Sequence, residues 1–363
     1  MNSLADNFRD RIASGGPMTL AEYMNDALTH PRLGYYMQGD TFGRGGDFIT
    51  APEISQMFGE LIGLWCAIGW QAMGAPNPAS LVELGPGRGT LMADMLRAGR
   101  QLEGFLDALS VYLVEVSPAL KSLQEETLTS KADIHAARAL GWVSGLDDVP
   151  EGPLLVVANE FFDALPVHQF QKTPDGWRER MIDVENGEFV FALGDDPDTD
   201  PILPPGTENA ADGDIVEVRP LARTMGRDLG ARLMAAPGMV LIIDYGHAES
   251  APGDTLQAVK AHEFHNPLVD PGTADLTAHV DFAEIGRAAA GLGARVYGPV
   301  GQGGFLQSLG IKERAEALMA ASPSHASDIE AALVRLTSAD GMGQLFKVMA
   351  LASPGLPPPP GFE

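Results

Sequence analysis

The chain has 363 residues, with 24 Lys+Arg against 49 Asp+Glu, a formal net charge of −25, and hydrophobic residues make up 45% of it. That composition supplies a sizeable core, and the length fits two to three domains of ~150 residues or one elaborated α/β domain. The charge disfavours a broad basic face for duplex nucleic acid, no apolar run approaches the ~20 residues that span a bilayer, and a single cysteine, Cys66, excludes an internal disulfide framework and a cysteine-built zinc site.

Residues 1–16 carry acids among their few basic residues and have no apolar stretch. They resemble neither a secretory signal nor an Arg-rich, acid-poor transit segment, so the expectation is a cytoplasmic protein. Thr19 before Leu20, with Glu22 three residues on, predicts a capped helix over 19–28. Gly34-Tyr35-Tyr36 and the glycine-rich stretch 43–48 interrupt this helical, loop-rich region. Ile54, Phe58, Leu61, Ile62 and Trp65 recur at three- and four-residue spacing and predict one helix over 52–73.

After Pro76 the pattern changes. Ser80-Leu81-Val82-Glu83-Leu84 is a short apolar run that ends in a glycine-rich turn. Residues 111–116 form a second such run, followed by a predicted helix over 118–128. Residues 133–136 are a weak third strand, 153–158 and 239–243 are strong fourth and fifth strands, and 294–297 with 345–349 close the set. Short apolar strands alternating with helices predict a parallel sheet covered on both faces. One segment breaks the alternation: residues 181–218 hold 11 acids among 38 residues and no Lys or Arg. Within it, 177–191 alternates around Asn186-Gly187, a hairpin turn signal, and 194–213 is rich in Asp, Pro and Gly and reads as a surface loop. The expected organisation is an N-terminal helical region (1–75), an α/β domain (76–353) with a β-hairpin and loop insertion at about 171–218, and a Pro-rich tail (354–363) expected to fray.

The strongest chemical signal is Val82-Glu83-Leu84-Gly85-Pro86-Gly87-Arg88-Gly89-Thr90. A strand feeding a glycine-rich turn and then a helix lets backbone approach a ligand at a positive helix end. An ordinary tight strand-to-helix turn is the alternative. The Gly-x-Gly-x-Gly spacing, with Glu83 before the first glycine, differs from the Gly-x-Gly-x-x-Gly of dinucleotide enzymes. It resembles the first motif of S-adenosylmethionine-dependent methyltransferases. Glu115 ends the second strand, where doubly wound sheets place a carboxylate on ribose hydroxyls; the position suits NAD equally, and a solvated acid is the alternative.

The fourth strand ends in Asn159-Glu160-Phe161-Phe162-Asp163. Asn159, Glu160 and Asp163 stand where an acceptor meets a cofactor, outside the carboxyl ends of the strands. The alternative is a helix cap at Asn159 and a solvated acid pair. His262-Glu263-Phe264-His265 lacks the helical zinc spacing, and no metal is expected. His279 is a candidate for the acceptor pocket or for a structural role, Trp142 for stacking on a base or for the core, and Cys66 for the core.

The chain resembles the MidA-type family of methyltransferases along nearly its whole length. The carrying motifs are Gly46-Asp47-Phe48-Ile49-Thr50-Ala51-Pro52-Glu53-Ile54-Ser55-Gln56, the glycine turn, residues 158–170 (ANEFFDALPVHQF), Ile243-Asp244-Tyr245-Gly246, residues 275–282 and residues 342–348. The mitochondrial members of that family are arginine methyltransferases that assist assembly of respiratory complex I. The resemblance implies a Rossmann-like class I methyltransferase sheet, S-adenosyl-L-methionine as donor, and a protein substrate presenting an arginine, with symmetric dimethylation on a complex I subunit in the mitochondrial enzyme. It implies that Gly85, Gly87 and Gly89 line the cofactor, that Glu115 holds its ribose, that Gly46 and Asp47 belong to a loop folding over it, and that Glu160 faces the acceptor. A guanidinium stays protonated near neutral pH and suits paired carboxylates, so Glu160 with Asp163 is the candidate clamp. Three further readings stay open: methylation of a small molecule or another amine, a cofactor-binding assembly factor, and, more distantly, an NAD-dependent dehydrogenase. The acidic insertion is read as an attractor for a basic protein, or as a solvated loop.

Overall fold

The computed structural model describes residues 3–37, 50–131, 137–195, 197 and 202–362. The chain divides into two compact units, one of residues 1–48, 163–224 and 247–284, the other of residues 49–162, 225–246 and 285–363.

The second unit is built on β1 (Ala79–Leu84), β2 (Leu109–Val114), β3 (Ala139–Val143), β4 (Leu154–Asn159), β5 (Gly238–His247), β6 (Arg295–Gly301) and β7 (Phe346–Ala352). Their order is β3-β2-β1-β4-β5-β7-β6. The first five are parallel, whereas β7 runs antiparallel to both β5 and β6. The parallel sheet expected from the strand-helix alternation is therefore a mixed one. The order is a doubly wound, Rossmann-like one. β1 and β4 are buried at every residue, which explains their unbroken apolar runs. Strand order reverses between β1 and β4, the place where such sheets open a ligand crevice beyond the carboxyl ends. Leu84 pairs with both Val114 and Ala158, so the ends of β1, β2 and β4 are level.

Helix Gln56–Ala72 covers this sheet, with Phe58, Ile62, Trp65 and Cys66 in one cluster with Leu81, Leu155 and Met239. The single helix expected over 52–73 is in fact two, Ala51–Ile54 and Gln56–Ala72. Ser55 between them is extended (φ −161°, ψ 139°), and its hydroxyl accepts the Met57 N–H at 3.2 Å, so it starts the second helix and cannot continue the first. The weak strand expected at 133–136 falls outside the described residues, and the third strand lies at Ala139–Val143. The tail expected to fray is packed. Pro360 C=O accepts the Trp65 indole N–H at 3.1 Å, and the Phe362 ring lies 5.5 Å from Phe305.

In the other unit, helices Leu4–Gly15 and Leu20–Thr29 both start on capping boxes, Ser3 with Asp6 and Thr19 with Glu22. The expected hairpin is Gly176–Glu185 and Glu188–Leu193. Its two turn residues, Asn186 (φ 52°) and Gly187 (φ 86°), both take the left-handed conformation that suits strand twist. Met18 pairs with Ile182 of the hairpin, and Phe8, Tyr23 and Ile182 share one cluster. N-terminal region and insertion thus build a common core, which the sequence pattern does not reveal. A small sheet of Gln257–Lys260, Glu263–His265 and Asp275–Thr277 was also not expected, because its strands are too short to show alternation.

Candidate active site

Gly85, Gly87 and Gly89 follow β1, and all three have positive φ, at 62°, 51° and 80°. A Cβ on Gly85 would meet Phe161 Cδ2 at 2.8 Å, and one on Gly89 would meet the Gln124 backbone at 3.3 Å. Glycine is therefore required here for conformation and for space. The turn delivers the chain into helix Thr90–Gly99, whose N-cap, Gly89, has no side chain with which to cap it. Glu83, on β1, lies near the first turn of this helix, where the Met92 N–H favours its charged form. Glu83 is 3% exposed, and burial pushes its carboxyl up to about 8, the Met92 N–H offsetting only part of that. Glu83 Oε2 has no hydrogen-bond partner among the described residues.

Glu115 is the residue just after β2, and is buried. Its Oε1 accepts the N–H groups of Val116 and Ser117, both at 2.8 Å, and Oε2 accepts Gln124 Nε2 at 3.1 Å. Burial raises its pKa, opposed by those donors. The Gln124 amide also donates to Gly87 C=O at 2.8 Å, and its Oε1 accepts the Trp142 indole N–H at 2.8 Å. Gln124 thus joins the acid after β2 to the glycine turn after β1. Sequence reasoning missed it, although a glutamine on the buried face of helix Pro118–Lys131 was a usable signal. Trp142 packs on the core while its N–H orders this network.

Beyond β4 the chain makes a sharp turn. Glu160 has φ 50°, uncommon for a side chain with a Cβ. Its N–H donates to Ile243 C=O at 2.9 Å. Its Oε1 accepts Ala51 N–H at 3.1 Å and Asn159 Nδ2 at 3.2 Å. Asn159 is 8% exposed, and its Oδ1 has no partner among the described residues. Glu53, on the short helix that Ala51 begins, accepts the Thr90 hydroxyl at 2.6 Å. The Glu160 carboxyl group and the glycine turn are therefore linked through one helical turn, residues 51–54.

Of the expected site residues, Glu83, Gly85, Gly87, Gly89, Glu115, Asn159 and Glu160 converge at the carboxyl ends of β1, β2 and β4. Asp163 and His279 belong to the other compact unit. There Ala278 N–H donates to Asp163 C=O at 3.1 Å, and His279 N–H donates to the Thr255 hydroxyl at 2.8 Å. Asp163 is 5% exposed. Gly46 and Asp47 lie outside the described residues. No cluster of three or more His, Cys, Asp or Glu is placed to hold a metal among the described residues. Cys66 is fully buried, and burial pushes its thiol up. A separate cleft of ≈560 Å³, lined by Glu60, Leu64, Arg97 and Arg314 among others, contains none of the site residues.

The glycine cradle, the orphaned Glu83 oxygen and the preorganised Glu115 fit a nucleoside cofactor without a pyrophosphate. Sheet order and site together define a class I methyltransferase. Residues 61–300 match the family model described as "Putative S-adenosyl-L-methionine-dependent methyltransferase". The chain belongs to that family and is an S-adenosylmethionine-dependent methyltransferase. It is 40% identical to the protein arginine methyltransferase NDUFAF7, mitochondrial, of Xenopus tropicalis, over 100% of this chain and 90% of that one. The human protein of the same name is 41% identical over 94% of this chain and 81% of its own length. A crystal structure of a superfamily member from Burkholderia thailandensis bound to S-adenosyl-homocysteine superposes with a TM-score of 0.85 at 30% identity, covering 99% of this chain and 93% of that one. The relatives named here as mitochondrial lend no support to a cytoplasmic location.

Proposed function

We propose that this methyltransferase acts on arginine side chains of a protein and forms symmetric dimethylarginine on a subunit of a respiratory complex I type assembly. Support comes from relatives named protein arginine methyltransferase. The observation that carries the reading is Glu160, a carboxylate held at the carboxyl end of β4 by Ala51 N–H and the Asn159 amide, one strand away from the glycine turn.

S-adenosylmethionine, when bound, supplies an electrophilic methyl group on a sulfonium. Gly85, Gly87 and Gly89 would admit it close to the backbone, Glu115 would accept its ribose hydroxyls, and Glu83 would stand beneath the turn. Glu160 accepts N–H hydrogen bonds from the guanidinium and orients one of its nitrogens. The negative charge stabilises the extra positive charge that builds on the guanidinium as the new N–C bond forms. As the N–C bond forms the sulfonium's C–S bond would break to leave a neutral thioether, and one proton per methyl would pass from the guanidinium to water, so the product keeps a single positive charge. No nucleophilic side chain is required, because the arginine nitrogen is itself the nucleophile.

The test is incubation of the protein with methyl-labelled S-adenosylmethionine and a cell lysate depleted of endogenous methylation, followed by peptide mass spectrometry. Label in symmetric dimethylarginine is the expected result. Label confined to small molecules, or to other amines, would overturn the arginine assignment and leave the methyltransferase class intact.

A further inference from the structure

We propose that Asp244, which the reading above does not use, is a positioning residue for methyl transfer. It fixes the left-handed turn that carries Glu160, and so rests on the assignment of Glu160 to the acceptor.

Asp244 lies near the end of β5 and is fully buried, at 0% exposure. A buried carboxylate is costly unless its oxygens are satisfied. Here Oδ2 accepts two successive backbone donors, Phe161 N–H at 3.1 Å and Phe162 N–H at 3.0 Å, and Oδ1 accepts Tyr245 N–H at 2.9 Å. Glu160 N–H is taken by Ile243 C=O at 2.9 Å. Three consecutive amides, those of residues 160, 161 and 162, are thus gripped by two consecutive residues of β5. Glu160 sits at φ 50°, a conformation that persists only where its surroundings over-determine it. Charge-assisted bonds from one carboxylate to the next two amides supply that constraint.

The grip has two consequences for the site. It turns the Glu160 side chain to where Ala51 N–H and the Asn159 amide meet Oε1. It also presses the Phe161 ring onto the glycine turn, where a Cβ on Gly85 would come within 2.8 Å of it. The Phe161 ring is also held edge-on against Phe162, with centroids 5.4 Å apart, so loss of the acid falls on the acceptor's carboxylate more than on the cofactor turn.

The test is a double-mutant cycle on the full chain with Asp244→Asn and Glu160→Gln. The readouts are the initial rate of label transfer from S-adenosylmethionine to lysate protein and the affinity for S-adenosylhomocysteine by calorimetry. Asp244→Asn is expected to slow transfer by roughly tenfold or more with affinity changed less than about threefold. In the Glu160→Gln background the same change should have little further effect, because both act through one group. Full multiplication of the two losses, or an unchanged rate in Asp244→Asn, overturns the positioning role. An unchanged rate in Glu160→Gln instead overturns the Glu160 assignment, and the proposal with it. Should Asp244→Asn fail to fold, Asp244→Glu carries the test: it keeps the charge but displaces it, and the same slowed rate with retained affinity is expected. Faster hydrogen exchange at the amides of residues 161 and 162 should accompany either variant, and unaltered exchange there would contradict the grip.

Discussion

Single atoms decide much of this site. Gly85→Ala adds a methyl group that meets Phe161 at 2.8 Å on a residue with φ 62°, so it should destabilise the fold by about 1–2 kcal/mol and weaken cofactor binding. Calorimetry and thermal denaturation would check both. Glu83 gives a pH prediction. Below its ordinary value of 4.5 the carboxyl is protonated whether the chain is folded or not; between 4.5 and about 8 only the folded chain keeps the proton. Stability therefore falls as pH rises through that window and levels off above it. Glu83→Gln should flatten this slope in denaturant titrations, and an identical slope in both proteins would contradict it. The glycines, Glu115 and Glu160 were legible in sequence because each follows an apolar strand at a fixed offset, and Glu83 because it is an acid inside such a strand just before the first glycine. Gln124, a glutamine on a buried helix face, and Asp244, part of a family motif, were visible in sequence but their roles were not, because a polar group acting through its partners leaves no spacing that names its task.

Among the elements, the short helix Ala51–Ile54 matters most for its size. Ala51 N–H holds Glu160, and Glu53 holds Thr90. Thr50 is already extended (φ −73°, ψ 162°), and a first helical position accepts proline, so Ala51→Pro removes that one donor on a compatible backbone. It should slow methyl transfer several-fold (about 1 kcal/mol, the worth of one hydrogen bond) with the chain still folded by circular dichroism. Ser55→Ala removes the cap that starts the next helix and should cost about 1 kcal/mol in denaturation experiments. Sequence pattern merged these two helices because the apolar spacing runs through Ser55 unbroken, and only the cap geometry separates them. The strands of the large sheet were found because burial on both faces writes continuous apolar runs. Strand pairing within the other unit was not, since Met18 and Ile182 lie far apart in sequence and neither segment announces the other.

At the scale of the whole molecule, the net charge of −25 is unevenly spread, with 11 acids and no basic residue in residues 181–218. Attraction of a basic protein by that segment should fade with salt, as the screening length falls from ~10 Å at 0.1 M to ~3 Å at 1 M. The expected signature is a KM for protein substrate that rises with ionic strength while kcat holds; a salt-independent KM would leave the segment as a solvated surface. Chain order also governs how the large sheet can form. β7 is an interior strand, flanked by β5 and β6, yet it is the last of the seven to be synthesised. The Trp65 indole likewise waits 295 residues for Pro360. Until β7 has emerged from the ribosome, β5 and β6 have an open seam between them, an exposed apolar edge of the kind that chaperones bind. Closure of the sheet should therefore wait for β7, and a nascent chain halted before residue 346 should remain protease-sensitive however long it is held.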